Sequence, residues 1–343
     1  MGKPQLIQNI RIAVSYYCNL KCKHCYVPEN ERLDYKQLEK DQLSVEEINN
    51  FIDYLISSFG LKKVTLTGGE CLLNHVWSRT KPVLQHSLDQ GMDIQINTSG
   101  SGEIEMSELK KVAKDKYTKI LLHVSLDGIN HKKVDSFRGK TGAMDRAIKT
   151  MKDAVSLGFN VQARYTATKT NLDEAQACYQ MLEEMGVQSF MIKPMLPAGN
   201  AEINSSMILS KEEVKELQKK LLIQSINNRT QLDLPSPVYV DMTEYPSGAN
   251  VKITLCICGF EAGYIAFNGD VLPCTYIVGS QVCKKYILGN IRTPNFDFKE
   301  IWLHPDTYYE YRHADPGACT THNILYSSLE KKDMLYRPGF CIF

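Results

Sequence analysis

Three cysteines, Cys18, Cys22 and Cys25, fall within eight residues of the stretch CNLKCKHCY, spaced C-x3-C-x2-C. They follow IRIAVSYY, an apolar run that reads as a buried strand, so the thiols stand at a strand's carboxyl end. Thiolates are soft ligands that select zinc or iron–sulfur clusters. A structural zinc site closes with four ligands. Although His24 lies inside the stretch, no nearby His or Cys completes a second pair at finger spacing. On a four-iron cluster, three thiolates leave one iron without a protein ligand. An open iron can bind a small molecule. The odd total of eleven cysteines fits a closed disulfide set poorly.

Elements able to position these thiols recur along the chain. KKVTLTGGE, MDIQINTSG, TKILLHVSLDG, NVQARYTATK and SFMIKPML are further strand patterns. Amphipathic stretches lie between them. SVEEINNFIDYLISSFG opens with a capping box, Ser44 with Glu47, and stops at Gly60. It keeps Ile48, Phe51, Ile52, Leu55 and Ile56 on one face. GAMDRAIKTMKDAVSLG and LDEAQACYQMLEEMG are helical in the same way. Strands alternating with helices predict an α/β fold, a parallel sheet with helical crossovers. Such sheets bind ligands at the carboxyl ends of their strands. TGGE, NTSG and SLDG fall at those ends, as the cysteines do. Past residue 197 the pattern changes. PAGNAEINSS reads as a loop, and SKEEVKELQKKLLIQSINN as a helix capped by Ser210 with Glu213. LDLPSPVYVDMTEYPSGAN, rich in Pro and Gly, reads as a connection. From residue 251 the chain is strand- and turn-like and holds Cys256, Cys258, Cys274, Cys283, Cys319 and Cys341.

The C-x3-C-x2-C spacing, with Tyr26 directly after the third cysteine, resembles the radical S-adenosylmethionine (SAM) superfamily. The resemblance spans residues 10 to 200, with the motifs in order. It implies a partial (β/α)6 TIM-like barrel. It implies that Cys18, Cys22 and Cys25 hold a [4Fe–4S] cluster whose fourth iron is chelated by the amino and carboxylate groups of SAM. Tyr26 belongs to the same site. Gly68, Gly69 and Glu70 stand where the family's GGE motif binds the methionine amino group. Asn97, Ser99 and Ser125 look like the family's polar contacts to ribose and carboxylate, and Arg164 suits the carboxylate. Cys71 stands where the family usually has Pro. As a thiol beside a radical it is a candidate hydrogen-atom donor; a small residue tolerated at that position is the plainer reading.

The sequence motifs DSFRGKTGAMDRAI and PAGNA resemble the subgroup with a SPASM or twitch extension, Asn200 replacing that subgroup's usual Arg. CGFEAGYIAFNGDVLPC, with its G-x4-C from Gly269 to Cys274, resembles the start of a SPASM domain. A full SPASM domain carries a later dense cysteine run, which this chain replaces with Cys319 and then Cys341. The resemblance therefore implies the shorter twitch form with one auxiliary [4Fe–4S] cluster. Its ligands are expected to be Cys256, Cys258, Cys274 and Cys319, with Cys341 in reserve. A zinc ribbon is the alternative for this half. Cys283 and Cys178 are read as plain, Cys178 as a core residue of a helix.

Composition bounds the rest. The 343 residues are 43% hydrophobic with a net charge of +1, enough for a full core and without the basic excess that nucleic acid attracts. No signal peptide, lipidation signal or membrane-length apolar run is present, so the sequence is read as cytoplasmic. The expected division is a barrel with its following helix over 1–235 and an auxiliary cluster domain over 236–343. The expected activity is reductive cleavage of SAM and hydrogen abstraction from an unactivated C–H. An electron donor such as flavodoxin or ferredoxin is implied. The substrate is expected to be a ribosomally made peptide, as in RiPP maturation. The alternative is a sugar, nucleoside or aminoglycoside undergoing dehydrogenation, epimerisation or decarboxylation. Only seventeen residues precede Cys18, so no attached leader-binding domain is expected. A non-catalytic iron–sulfur carrier would leave Glu70, Asn97 and Ser125 without a use.

Overall fold

Strand β1 (Asn9–Ser15) is buried without a break from Ile12 to Ser15. A parallel strand covered on both faces requires this. The computed structural model describes residues 6–28, 35–241, 247–315 and 318–330. In it β1 is followed by β2 (Lys63–Gly68), β3 (Asp93–Thr98), β4 (Ile120–Ser125), β5 (Asn160–Ala167) and β6 (Ser189–Pro194), paired in that order and parallel throughout. Helices Val45–Phe59, Asn74–Asp89, Met106–Ala113, Ala143–Ser156 and Ala175–Glu184 make the crossovers. The first shows how local sequence sets its ends. Ser44 and Glu47 cap each other reciprocally, and Gly60 closes the helix in the left-handed region. Ile48, Ile52, Leu55 and Phe59 form its buried stripe, while Phe51 and Ile56 lie half-buried at its edge.

The parallel run is longer than the sequence predicts. The stretch read as a connection begins inside β7 (Gln231–Pro235), with Leu232, Asp233 and Leu234 buried. β8 (Val251–Thr254) follows, and both continue the sheet in parallel. The prolines just beyond Leu234 hide the strand from a composition reading. At the other edge β9 (Ala262–Ile265) lies parallel to β1, and β10 (Asp270–Leu272) and β11 (Gly289–Asn290) extend it antiparallel. The cysteine-rich half thus adds strands to both edges of one sheet. We propose the boundary after residue 235 on cysteine content; the sheet runs through it. Among the described residues no helix is long and apolar enough to cross a membrane.

Arg292 fastens the C-terminal half to the first crossover. Its guanidinium donates to both Glu47 oxygens, at 2.6 and 2.8 Å, and to the Asp41 and Gln42 carbonyls. The Arg292 hydrogen bonds hold the Glu47 carboxyl down, to about 2, against ~4.3 for a free Glu. A depressed carboxyl contributes stability that is complete above its unfolded value and fades as pH falls toward its folded one. Arg292→Ala should therefore lower the thermal midpoint equally at pH 6 and pH 8. The pair is partly exposed, so its own share is about 1 kcal/mol or less. A loss that differs between those two pH values would contradict this assignment.

Candidate active site

The carboxyl ends of β1 to β5 surround one cleft, with an empty volume of about 770 Å³ and open to solvent. Cys18, Cys22, Cys25 and Tyr26 enter it from the loop after β1. Gly68, Gly69 and Glu70 enter from the end of β2, Asn97 and Ser99 from β3, Ser125 from β4 and Arg164 from β5. Residues separated by more than a hundred positions thus meet in one place, as the sequence motifs predict.

None of the three cysteines forms a disulfide. Burial, reinforced by Cys22, pushes the Cys18 thiol up. The loop carrying them is held by backbone contacts. Lys21 and Lys23 N–H groups donate to the Arg138 and Phe137 carbonyls. Asn200 donates from its backbone to Cys25 O and from its side chain to Cys22 O, both at 2.9 Å. Asn200, visible in sequence only as a departure from Arg, is therefore a clasp for the cysteine loop. Gly279 shows that the C-terminal half completes the cradle: a Cβ there would lie 1.7 Å from Tyr26 O.

Gly69 makes the second close approach. Its N–H donates to Ser15 O at 2.7 Å, and a Cβ would lie 2.0 Å from Tyr17 O. No rotamer relieves a clash between a Cβ and backbone. Gly69→Ala should separate the β2 turn from the cysteine loop, at a cost of roughly 1–3 kcal/mol, and abolish SAM binding. Thermal melting with and without SAM checks this; a variant that melts at the wild-type temperature, or that SAM still stabilises, would contradict it.

Glu70 is almost fully buried, and its carboxylate receives four hydrogen bonds: from Leu72 N–H, Thr98 Oγ1, and Ser99 N–H and Oγ. The β3 end thus locks the β2 turn. Asn97 is oriented by Thr67 and Gln95. Arg164 donates to the Tyr276 hydroxyl, and Tyr276 lies edge-on to Tyr26 at 5.8 Å. Asp127, within SLDG, forms a buried ion pair with Arg138, within DSFRG. Arg138 also points toward Cys22 Sγ, at 4.0 Å. Cys71 does not line the cleft. Its side chain is fully buried and its thiol donates to Thr67 O at 3.6 Å. Burial pushes that thiol up. This placement favours the plain reading of Cys71 over the hydrogen-donor one.

Lys193 links Tyr276 to the second thiol set: its Nζ lies 4.8 Å from the Tyr276 ring centroid and 3.9 Å from Cys319 Sγ. Cys256 is hydrogen-bonded with Cys258 and Cys319, and Cys258 with Cys274. These are the residues singled out by sequence. Hydrogen bonding from Cys256 holds the Cys319 thiol down, to about 6, with Lys193 adding to the effect. Hydrogen bonds from Cys256 and Cys274, with Arg11, hold Cys258 down. Cys256 and Cys274, the donors, are pushed up. Two thiols ready to ionise beside two cations fit a thiolate-ligated cluster. Cys178 is buried in helix Ala175–Glu184, and Cys283 is half-buried in the turn Cys283–Tyr286. Cys341 lies outside the described residues.

Sequence reading missed Asp127, Arg138, Tyr276, Arg11 and Lys193 as parts of the site. Only the basic residues inside the strands RIAV and SFMIKP gave a signal, since a central strand seldom carries an unpartnered charge.

Two family models match the chain: the Radical SAM superfamily over residues 12–182 and the SPASM iron–sulfur cluster-binding domain over residues 256–322. The chain is 31% identical over 322 residues to the Fe-coproporphyrin III synthase of Methanosarcina barkeri, covering 88% of this chain and 73% of that protein. It is 24% identical to the AdoMet-dependent heme synthase of the same organism, covering 88% and 84%. Its fold is similar to that of Streptococcus suis SuiB bound to the precursor peptide SuiA, with a TM-score of 0.68 at 17% identity, covering 96% of this chain and 74% of that one.

Proposed function

Because this chain belongs to the radical SAM superfamily and carries a SPASM iron–sulfur domain, we propose that it abstracts hydrogen from a C–H bond of a ribosomally made peptide. The observation that carries the reading is the convergence of the three cysteines, the β2 glycines, Glu70, Asn97, Ser99, Ser125 and Arg164 on one open cleft. Cys18, Cys22 and Cys25 hold the [4Fe–4S] cluster, which when bound supplies the electron that cleaves SAM to methionine and a 5′-deoxyadenosyl radical.

The protein's own groups place the reactants. Gly68 and Gly69 let the backbone approach the methionine end of SAM. Glu70, gripped by β3, presents a fixed carboxylate near the ammonium without reorganising. Asn97 and Ser125 supply polar contacts, and Arg164 a cation for a carboxylate. Cys256, Cys258, Cys274 and Cys319 hold one auxiliary cluster. A flavodoxin or ferredoxin supplies electrons.

The peptide substrate is supported by the fold shared with SuiB and by the cleft's opening to solvent, through which a chain segment can reach. A second reading, a carboxylate-bearing tetrapyrrole, is favoured by the 31% identity to the Fe-coproporphyrin III synthase and by Arg164 in the cleft. The anaerobically reconstituted protein with dithionite and SAM should release 5′-deoxyadenosine. A precursor peptide encoded beside the gene should lose hydrogen mass in the same reaction. Formation of Fe-coproporphyrin from a carboxylate-bearing iron tetrapyrrole, with the peptide unchanged, would replace the first reading by the second.

A further inference from the structure

We propose that Arg11 and Lys193 are charge-compensating residues that raise the reduction potential of the auxiliary cluster. The inference rests on that cluster occupying Cys256, Cys258, Cys274 and Cys319, and is independent of the substrate.

Arg11 lies on β1 and Lys193 on β6, with four strands between them in the sheet. Both nevertheless reach the same thiol set. Arg11 Nη1 donates to Cys258 Sγ at 3.3 Å, and Lys193 Nζ donates to Cys319 Sγ at 3.9 Å. Lys193 also lies over the Tyr276 ring, 4.8 Å from its centroid. The groups that act most on Arg11 are Cys258, Cys274 and Cys256. Those that act most on Lys193 are Cys319, Tyr276, Cys274 and Cys256. No carboxylate stands among them.

The cysteine loop of the cleft is built differently. There the cation near Cys22 is Arg138, and Asp127 neutralises it in a buried pair. The two thiol sets thus differ in their nearest charges: a cation with its own carboxylate at one, two cations whose strongest partners are sulfurs and a ring at the other. Charge and hydrogen bonds to sulfur are among the protein's means of setting an iron–sulfur potential. A cluster held by four thiolates is an anion and becomes more negative when reduced. Nearby cations without a carboxylate therefore favour the reduced state, and in a partly dry site the effect is strong.

The test uses the reconstituted full chain with Cys18, Cys22 and Cys25 replaced by Ala, so that the auxiliary cluster alone gives the reduced EPR signal. Lys193→Met and Arg11→Gln are each expected to lower the reduced-to-oxidised ratio at fixed potential at least tenfold, about 59 mV for one electron, with iron retained. Lys193→Arg keeps the charge and should titrate with the parent. Neutral variants that titrate at the parent midpoint would overturn the proposal. If Lys193→Met loses its iron while Lys193→Arg keeps it, the charge requirement stands; loss in both means shape, not charge, and overturns it. A parent that holds no iron overturns the ligand assignment, and this inference with it.

Discussion

Replacing Cys18, Cys22 and Cys25 together by Ala should abolish 5′-deoxyadenosine formation and leave about four of roughly eight irons per chain. The reason is the separation of the two thiol sets. The cleft set sits on one loop after β1, clasped by Asn200 and by the backbone at Phe137 and Arg138. The second set is bonded within itself, through Cys256, Cys258, Cys274 and Cys319. Removing the first leaves every sulfur of the second in place. Iron analysis and chromatography of the reaction check both halves of the prediction. Undiminished 5′-deoxyadenosine would mean that SAM is cleaved elsewhere. Close to eight irons remaining would mean two auxiliary clusters, and none would mean that the C-terminal half binds no cluster.

Asp127→Ala should destabilise the protein by about 3–5 kcal/mol, the cost of leaving one member of a buried ion pair unpaired. Asp127 and Arg138 are both nearly inaccessible. Asp127 also accepts from Thr166 N–H at 2.7 Å, tying the end of β4 to β5. The Arg138 and Phe137 carbonyls receive Lys21 and Lys23 N–H groups, so disturbing Arg138 disturbs the cysteine loop. The variant should therefore lose iron from the cleft set while retaining the auxiliary set. Denaturant unfolding and iron analysis measure these effects. A loss below about 1 kcal/mol, in the range of exposed pairs, would show that the pair is not what holds the loop.

The parallel core was legible because its strands are short apolar runs, each ending in Gly or polar residues at the site. TGGE, NTSG and SLDG announce strand ends, and the C-x3-C-x2-C spacing announces a cluster loop. The cleft thiols stood out by type and spacing; the second set was reached only through the resemblance to a SPASM domain. Sequence could not supply contacts between distant segments. Nothing local marks Gly279 as packed against Tyr26, or Asn200 as the clasp of Cys22 and Cys25. β7 was lost because its three buried residues run straight into a proline cluster. Cys71 was misplaced toward the cleft because it follows Glu70; the chain turns there and buries the thiol in the core. Arg11 and Lys193 escaped notice because their partners are sulfurs contributed by the opposite half of the chain.

The central claim is that three thiolates leave one iron of the cleft cluster open to SAM. Mössbauer spectra of the reconstituted, iron-57-labelled protein, recorded with and without SAM, test it most directly. The account predicts that one iron in roughly eight changes its isomer shift and quadrupole splitting when SAM is added, and that the triple-Ala variant shows no change. Spectra that SAM leaves unaltered in the wild-type protein would contradict it.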